Sequence, residues 1–427
     1  MKNHEVLSTL FVGIDVSSRF NEVCAIDFDE KRFLQTSVPN NNSGATTLAE
    51  SLSIIMTQNP EFSRIVIALE STSCYSTHIA TFLSSSIILM PYKPYVYCIN
   101  PKMVANYKKS YVSLGKTDPI DAFIIADFAR VGRIKSEPWR GSQFLALQRL
   151  TRHRLHMVES IAREKSYMLT NIFLKFSELA APTGDKAVFS NNYGATAEAV
   201  LTEFLSPEDI AQMPANELVE FICKKSKNAF GDPDKVASIL QKAARDSYRL
   251  DRCLYEPLTI SIASSFNCIK AFEKEIKTIN KAIENAILGF NPNEYLSLTS
   301  IPGIGPVFAS AILAEIGSIK SFHSHSALAK YAGLVWNSNQ SGSFQAEDTN
   351  LSKAGNSYLR YYLVEAANSV KTYSPVFNEF YNKKFNEVKT HQHKRALALT
   401  SRKLIRLIFG LLDKNQLYSS NVELTIS

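Results

Sequence analysis

The chain has no apolar run long enough to cross a bilayer; nothing approaches the ~18 residues that a spanning helix needs. Its start, MKNHEVLSTLFVGID, lacks a signal-peptide pattern, because the short apolar stretch runs straight into a strand pattern. A cytoplasmic protein with no membrane partner is the expectation. Cysteine is sparse: Cys24, Cys74, Cys98, Cys223, Cys253 and Cys268 are widely spread and none forms a CxxC pair. That argues against a zinc site or disulfide framework and leaves buried or incidental thiols. No internal repeat or low-complexity tract is visible. Charge bias is also slight. A net charge of +7 suits an anionic partner, yet many proteins without nucleic-acid ligands share it, so local distribution says more than the total.

What is present is an ordinary globular composition, 45% hydrophobic and 20% charged, over 427 residues. That length allows two or three domains, each with its own core. The N-terminal third alternates strand and helix patterns. LFVGIDV (10–16), NEVCAIDF (21–28) and KRFLQTSV (31–38) read as strands, the turn-rich PNNNSG follows, and ATTLAESLSIIMTQN reads as a helix. RIVIALE (64–70) is a continuous apolar strand of the fully buried kind, and SIILMPY is expected to be a further strand between helices that run to about residue 130. Three early strands followed by alternating α and β predict an α/β domain with a mixed sheet and helices on its faces.

From about 142 to 290 strand signals nearly vanish. Met157, Ile161, Met168, Ile172 and Leu179 form the stripe of one long amphipathic helix, and Ile269, Phe272, Ile276, Ile279 and Ile283 step as heptad positions. The second stripe can pack inside its own chain or form a coiled-coil seam; about two heptads do not decide. The shorter helical pieces between Pro182 and Ser261 resist further organisation. The last third opens with YLSLTSIPGIGPVFASAILAEIG (295–317), passes a polar Gly- and Ser-rich stretch (337–357) and ends in basic helices up to about Leu412. The expected domains are 8–140, an all-α middle with coiled-coil-like helices over 141–292, and a mainly α domain over 293–415.

Four carboxylates stand out. Asp15 lies inside the first apolar strand, where a charge is costly unless paired or metal-bound. Glu70 ends the buried strand RIVIALE, at the sheet edge where α/β proteins carry their sites. In GKTDPIDAFIIADFAR, Asp118 is placed as a helix N-cap before Pro119, and Asp121 follows three positions later, so both gather at one helix end. Such a set can hold two Mg²⁺ ions, hard cations that keep open positions for phosphate and can clamp a phosphodiester. Singly, Asp118 reads as a plain cap, and Asp15 or Glu70 as a strand-end hydrogen-bonding residue. Asp127, more than a turn beyond Asp121, is left outside the set.

The order GIDVS…ALEST…KTDPIDA resembles the RuvC-like (RNase H-like) catalytic domain of IS110-type transposases, with its Asp-Glu-Asp-Asp quartet. The resemblance places Asp15, Glu70, Asp118 and Asp121 in the four metal-binding positions. SIPGIGPVFASAILAEIG resembles a helix-hairpin-helix turn, in which Gly303 and Gly305 would let backbone N–H groups cradle a phosphate before a helix; a purely structural turn is the alternative. The segment FHSHSALAKYAGLVWNSNQSGSFQAEDTNLSKAGNSYLRYYLVEAA is similar to the second, transposase-type domain of the same family, through YAGL (331–334), QSG (340–342), LSKAGN (351–356) and LR (359–360). The family's serine nucleophile maps onto Ser341, with Ser343 as a nearby competitor. On its own residues, a Ser-Gly pair in a flexible polar loop is an ordinary turn that leaves room for a phosphate. The chain departs from the pattern at Trp336, where a proline is usual, and at Glu347 and Asp348, where basic residues are frequent. The resemblance covers about 10–180 and 290–415.

Basic residues are grouped in two places. Lys102, Lys108, Lys109 and Lys116 precede the Asp118 motif, with Tyr107 and Tyr111 interleaved. Lysines there would neutralise phosphates and the tyrosines could stack on unpaired bases, and a solvated lysine face is an equal reading of this run alone. Lys383, Lys384, Lys389, Lys394, Arg395, Arg402, Lys403 and Arg406, joined by Lys353 and Arg360, make a candidate DNA or RNA platform. His391 and His393 read as surface residues. The resemblance implies Mg²⁺-dependent strand cleavage and exchange with a serine nucleophile, on DNA that supplies element ends and target. It also implies a structured guide RNA and a homo-oligomer, dimer or tetramer, in which the site can be composed across protomers. The rivals are a Holliday-junction-type endonuclease using water, and a non-catalytic nucleic-acid-binding protein.

Overall fold

The computed structural model describes residues 3–111, 118–134, 138–182, 187–289, 292–336, 340–341, 344–345 and 351–419. The chain forms two compact units, residues 1–148 with 288–427 and residues 149–287. The first unit opens with a short helix, α1 (Asn3–Leu7), then β1 (Thr9–Val16), β2 (Phe20–Ile26), β3 (Arg32–Pro39), α2 (Asn42–Gln58), β4 (Arg64–Glu70), α3 (Tyr75–Ser85), β5 (Tyr95–Ile99), α4 (Pro101–Lys108) and α5 (Asp118–Arg130). The strands form one mixed sheet in the order β3-β2-β1-β4-β5. Short turns make β1, β2 and β3 antiparallel, whereas crossovers through α2 and α3 make β1, β4 and β5 parallel.

Side-chain alternation divides this sheet cleanly. Leu10, Val12, Ile14 and Val16 join Leu48 and Leu52 of α2 in one core, while Phe11, Val66 and Ala68 face Ala122, Ile125 and Ala126 of α5 in the other. SIILMPY is not a strand. It connects α3 to β5 and ends in a 3₁₀ turn at Met90–Tyr92, with Ile87 84% and Met90 63% exposed around a buried Leu89. The neighbouring YVYCI takes the edge position instead, since it carries the aromatic and β-branched residues that suit a pleated surface.

Helix α6 (Ser142–Lys175) begins in the first unit and continues in the second, which contains α7 (Ser177–Ala180), α8 (Ala195–Glu203), α9 (Pro207–Gln212), α10 (Ala215–Ser226), α11 (Pro233–Asp246) and α12 (Tyr255–Ile287). The stretch that sequence patterns left unorganised is thus a helical bundle, with Met168, Ile172, Val200, Leu201, Leu240 and Phe266 in one core. Lys175 is buried in it and donates to the carbonyls of Leu201 and Phe204 at 2.7 and 2.8 Å and to Thr259 Oγ1 at 2.6 Å. Desolvation brings its pKa down to about 8. Along the heptad stripe Ile269, Ile279 and Ile283 are buried within their own chain, and Phe272 and Ile276 are half-buried.

The first unit resumes with α13 (Pro292–Thr299), α14 (Pro306–Ile316), α15 (His325–Tyr331), the short hairpin β6 (Gln340–Ser341) and β7 (Phe344–Gln345), α16 (Ser357–Tyr373), α17 (Pro375–Asn386) and α18 (Gln392–Lys414). Helix α18 packs on α16 and α17, burying Leu404, Ile408, Leu411 and Tyr362. Among the described residues, no helix is long and apolar enough to cross a membrane.

Candidate active site

The register of β1 against β4 pairs Gly13 with Ala68 and Ile14 with Leu69, which sets Asp15 beside Glu70 on the neighbouring strand. Alternation turns both carboxylates to the face that carries α5. Gly13 explains how close α5 comes. A Cβ there would stand 2.1 Å from the Ala122 carbonyl oxygen and 2.2 Å from the Ala126 nitrogen, so only a glycine permits this approach. The helix crosses β1 one alternate position before Asp15 and brings its first turn, with Asp118 and Asp121, to the same sheet edge. Asp118 is the first residue of the helix and exposed, rather than a residue in front of it.

Electrostatics shows the grouping. Burial raises the pKa of Asp15, and the carboxylates of Asp121, Asp118 and Glu22 raise it further, with Lys108 opposing. Glu70 is raised by burial first, then by Asp15 and Asp121, again opposed by Lys108. Lys108 forms an ion pair with Asp121. Among the described residues no three His, Cys, Asp or Glu side chains stand close enough to share one metal ion. The donor set nonetheless suits a divalent cation: oxygen ligands only, gathered at one edge, with two of them held against ionisation by burial first and then by their like-charged neighbours. Asp15, Glu70 and Asp121, with Asp118 beside them, are the residues that would hold it.

The lysine-tyrosine strip differs from expectation. Tyr107 and Tyr111 both donate their hydroxyls to Asp127, Tyr107 at 2.6 Å. Asp127 is 2% exposed and also accepts from Arg130 Nε at 2.7 Å. Burial and this bond raise the pKa of both tyrosines. The two rings therefore tie α4 to α5 and are not free to stack on bases. Asp127, left out of the sequence-based set, is the buried anchor; a lone acid inside the apolar run AFIIADFA was the signal for it. Lys102 and Lys109 are exposed, and Lys116 lies outside the described residues.

In the C-terminal part, Ile304 N–H donates to Ile301 O at 3.0 Å across Pro302-Gly303, with Gly303 at φ +94°, a type II turn between α13 and α14. A Cβ on Gly303 would lie 2.9 Å from Val370 Cα of α16, so close packing by itself requires a glycine here; Gly305, the N-cap of α14, faces open space. Ser341 lies on β6, paired with Phe344 across a two-residue connection, and not in an unstructured loop. Ser343, Glu347 and Asp348 lie outside the described residues.

The basic platform is partly engaged within the chain. Arg360 Nη1 donates to the carbonyls of Ala332 and Lys353 at 3.1 and 2.9 Å. Arg395 pairs with Glu387 at 3.1 Å, and Lys403 sits over the rings of Phe377 and Phe380 at 5.2 and 5.1 Å. Arg402 stacks over Trp336 at 5.6 Å. Lys353 and Lys394 are exposed. Burial, then Arg406 and Arg402, hold His325 below the ordinary imidazole range, which places it beside these two arginines of the basic stretch, a neighbour that sequence reasoning did not assign.

Residues 12–174 match the DEDD-type IS110 model, described as a transposase, and residues 296–382 match the model of the transposase IS116/IS110/IS902 family. A 44.8 kDa protein of insertion element IS116 from Streptomyces clavuligerus is 23% identical over 96% of this chain and 96% of its own length. A 42 kDa protein of insertion element IS900 from Mycobacterium paratuberculosis is 22% identical over 96% of this chain and 97% of its own length. The transposase for insertion sequence element IS1111A from Coxiella burnetii is 24% identical over 39% of this chain and 49% of its own. With both family models falling on the two parts that carry the carboxylates and the serine motif, the chain belongs to the IS110-type transposases, enzymes that cleave DNA and transfer its strands.

Proposed function

We propose that this chain is the transposase of an insertion sequence, with a RuvC-like N-terminal domain and a serine nucleophile, Ser341, acting on DNA at the element ends and target. The observation that carries the reading is the convergence of Asp15 and Glu70, from adjacent parallel strands, with the first turn of α5. Bound at these carboxylates, Mg²⁺ would supply Lewis-acid stabilisation of charge on the phosphate oxygens. Ser341 Oγ attacks phosphorus, an Oγ–P bond forms, and the strand oxygen departs as a hydroxyl that takes up the serine's proton. Strand transfer reverses this: a strand hydroxyl attacks the phosphoserine and releases Ser341 with its proton restored. The exposed Lys102, Lys109, Lys353 and Lys394 neutralise backbone phosphates. A structured RNA from the same element selects the DNA, and two or more copies of the chain assemble on it.

The test mixes the protein with element-end DNA, the element's RNA and Mg²⁺, then looks for a covalent protein–DNA species. The species forms with wild-type protein, disappears with Ser341→Ala, and disappears with Asp15→Asn. Cleavage that persists in Ser341→Ala without a covalent species would make water the nucleophile and overturn the serine role. Omitting the RNA tests guidance separately.

A further inference from the structure

The two motifs that flank the serine segment, YAGLVW (331–336) and LSKAGN (351–356), clasp one another. Trp336 and Leu351 form an antiparallel bridge, and the Ser352 N–H donates to Val335 O at 2.8 Å. Gly355, at φ +146°, is packed so tightly that a Cβ would lie 2.3 Å from the Tyr331 carbonyl oxygen. The Asn356 N–H closes the clasp by donating to that same oxygen at 2.7 Å.

The Asn356 side chain does two further things. Its Oδ1 accepts from the Tyr358 and Leu359 N–H groups, both at 3.0 Å, and so caps α16. Its Nδ2 donates to Glu315 Oε2 at 2.7 Å and to Tyr331 Oη at 3.3 Å. Glu315 is 4% exposed at the end of α14, and Gln148 Nε2 from α6 donates to the same oxygen at 3.4 Å. A buried carboxylate is costly unless it is hydrogen-bonded, so this one needs its donors. A cavity of about 340 Å³ adjoins the pair, and its lining includes Glu315, Gln148 and Tyr331 together with Ser71, the neighbour of Glu70. The clasp therefore hangs from a buried acid close to the carboxylate edge.

We propose that Asn356 and Glu315 are a positioning pair, whose hydrogen bond holds the clasp between YAGLVW and LSKAGN and, through it, sets where Ser341 stands. The positional part rests on the serine reading above; the pair itself does not. Capping and positioning separate by one substitution. Aspartate caps a helix as well as asparagine does, but Asn356→Asp removes the donor and sets a second carboxylate against Glu315. Glu315→Gln then restores a donor from the opposite side.

Hydrogen exchange is followed at the Ser352 and Asn356 amides of the full chain, without nucleic acid. Asn356→Asp speeds exchange by about ten-fold or more, and the double variant Asn356→Asp/Glu315→Gln returns it to near wild type. Wild-type exchange in Asn356→Asp would mean that Asn356 only caps, and would overturn the proposal. Should Asn356→Asp not fold, recovery of folding in the double variant supports the pair, and no recovery overturns it. With DNA, RNA and Mg²⁺, covalent-species formation at saturating DNA falls roughly ten- to hundred-fold in Asn356→Asp, DNA affinity stays unchanged, and the double variant recovers the rate. If wild-type protein forms no covalent species the serine reading fails, and exchange alone still decides whether the pair holds the clasp.

Discussion

The two parts of the proposed site are built in different ways. Asp15 and Glu70 stand on adjacent strands of a five-stranded sheet, their spacing set by register and their direction by alternation. Ser341 stands on a two-residue strand whose mouth is closed by backbone contacts between YAGLVW and LSKAGN. A sheet edge packed on both faces resists local movement, because shifting one strand disturbs every neighbour. A clasp made of a bridge, a glycine contact and a handful of hydrogen bonds, with no sheet neighbours among the described residues, can rearrange at smaller cost. Metal binding calls for the first kind of scaffold, and passing a strand from one partner to another calls for the second.

The largest effect that would test this contrast belongs to Gly13. Gly13→Ala forces Ala122 and Ala126 away from β1, since the contacts are with backbone and not with a side chain that can swing aside. The first unit then loses cooperative unfolding or melts far lower, by circular dichroism and calorimetry, a cost above the ~1–3 kcal/mol usual for overpacking. Retention of a wild-type melting profile would show that the sheet edge is more compliant than stated.

Next come the carboxylates. Asp15→Asn and Glu70→Gln each lower strand cleavage by at least about a hundred-fold, while the metal-free protein becomes more stable. The sign follows from the raised pKa values. A carboxyl whose folded pKa lies above its unfolded value stabilises the fold below the unfolded pKa, and that contribution is lost as pH rises through the folded pKa. At neutral pH in chelator the two variants therefore melt above wild type, and the gap closes towards the unfolded carboxylate pKa in acid. Added Mg²⁺ raises the wild type alone. Equal melting at neutral pH would show that the cluster is not under like-charge strain.

Asp127→Ala is expected to cost about 3–5 kcal/mol, the usual consequence of breaking a buried charged network, whereas Tyr111→Phe costs about 1 kcal/mol. Thermal unfolding measures both, and equal effects would remove Asp127 as the anchor of α4 on α5. The smallest stability effect falls on the serine side. Arg402→Ala removes a stacked cation worth about 0.5–1 kcal/mol, yet strand cleavage falls roughly ten-fold because Trp336 holds the clasp mouth. Unchanged cleavage would mean that Trp336 keeps its place without Arg402.

Legibility followed the same division. β1 to β4 announced themselves because alternation and β-branched runs are local signals, and Asp15 and Glu70 came with them as charges inside or ending apolar strands. β5 was missed because apolar SIILMPY resembled a strand more than YVYCI did, and only packing around Leu89 shows the first to be a connection. Tyr107 and Tyr111 read as stacking residues because their partner, Asp127, lies 16 to 20 positions away. The packing role of Gly303 was not visible because Val370 of α16, which it touches, lies more than sixty residues later. The bundle from α8 to α11 stayed unreadable because its helices are short and its core gathers only when they meet.

By itself, then, the sequence determined the early strands, which of their residues share a face, and that Asp15 and Glu70 are charges inside or ending apolar strands, since each depends on neighbours two to four positions away. Only the tertiary structure decided that α5 crosses β1 at Gly13, that the interleaved tyrosines bind Asp127, and that Asn356 reaches the buried Glu315. Those contacts join residues 16 to 113 positions apart, from Tyr111–Asp127 to Gly13–Ala126. No periodicity records a partner at that separation, because side-chain direction is local whereas the pairing of surfaces is settled by the packing of the whole unit.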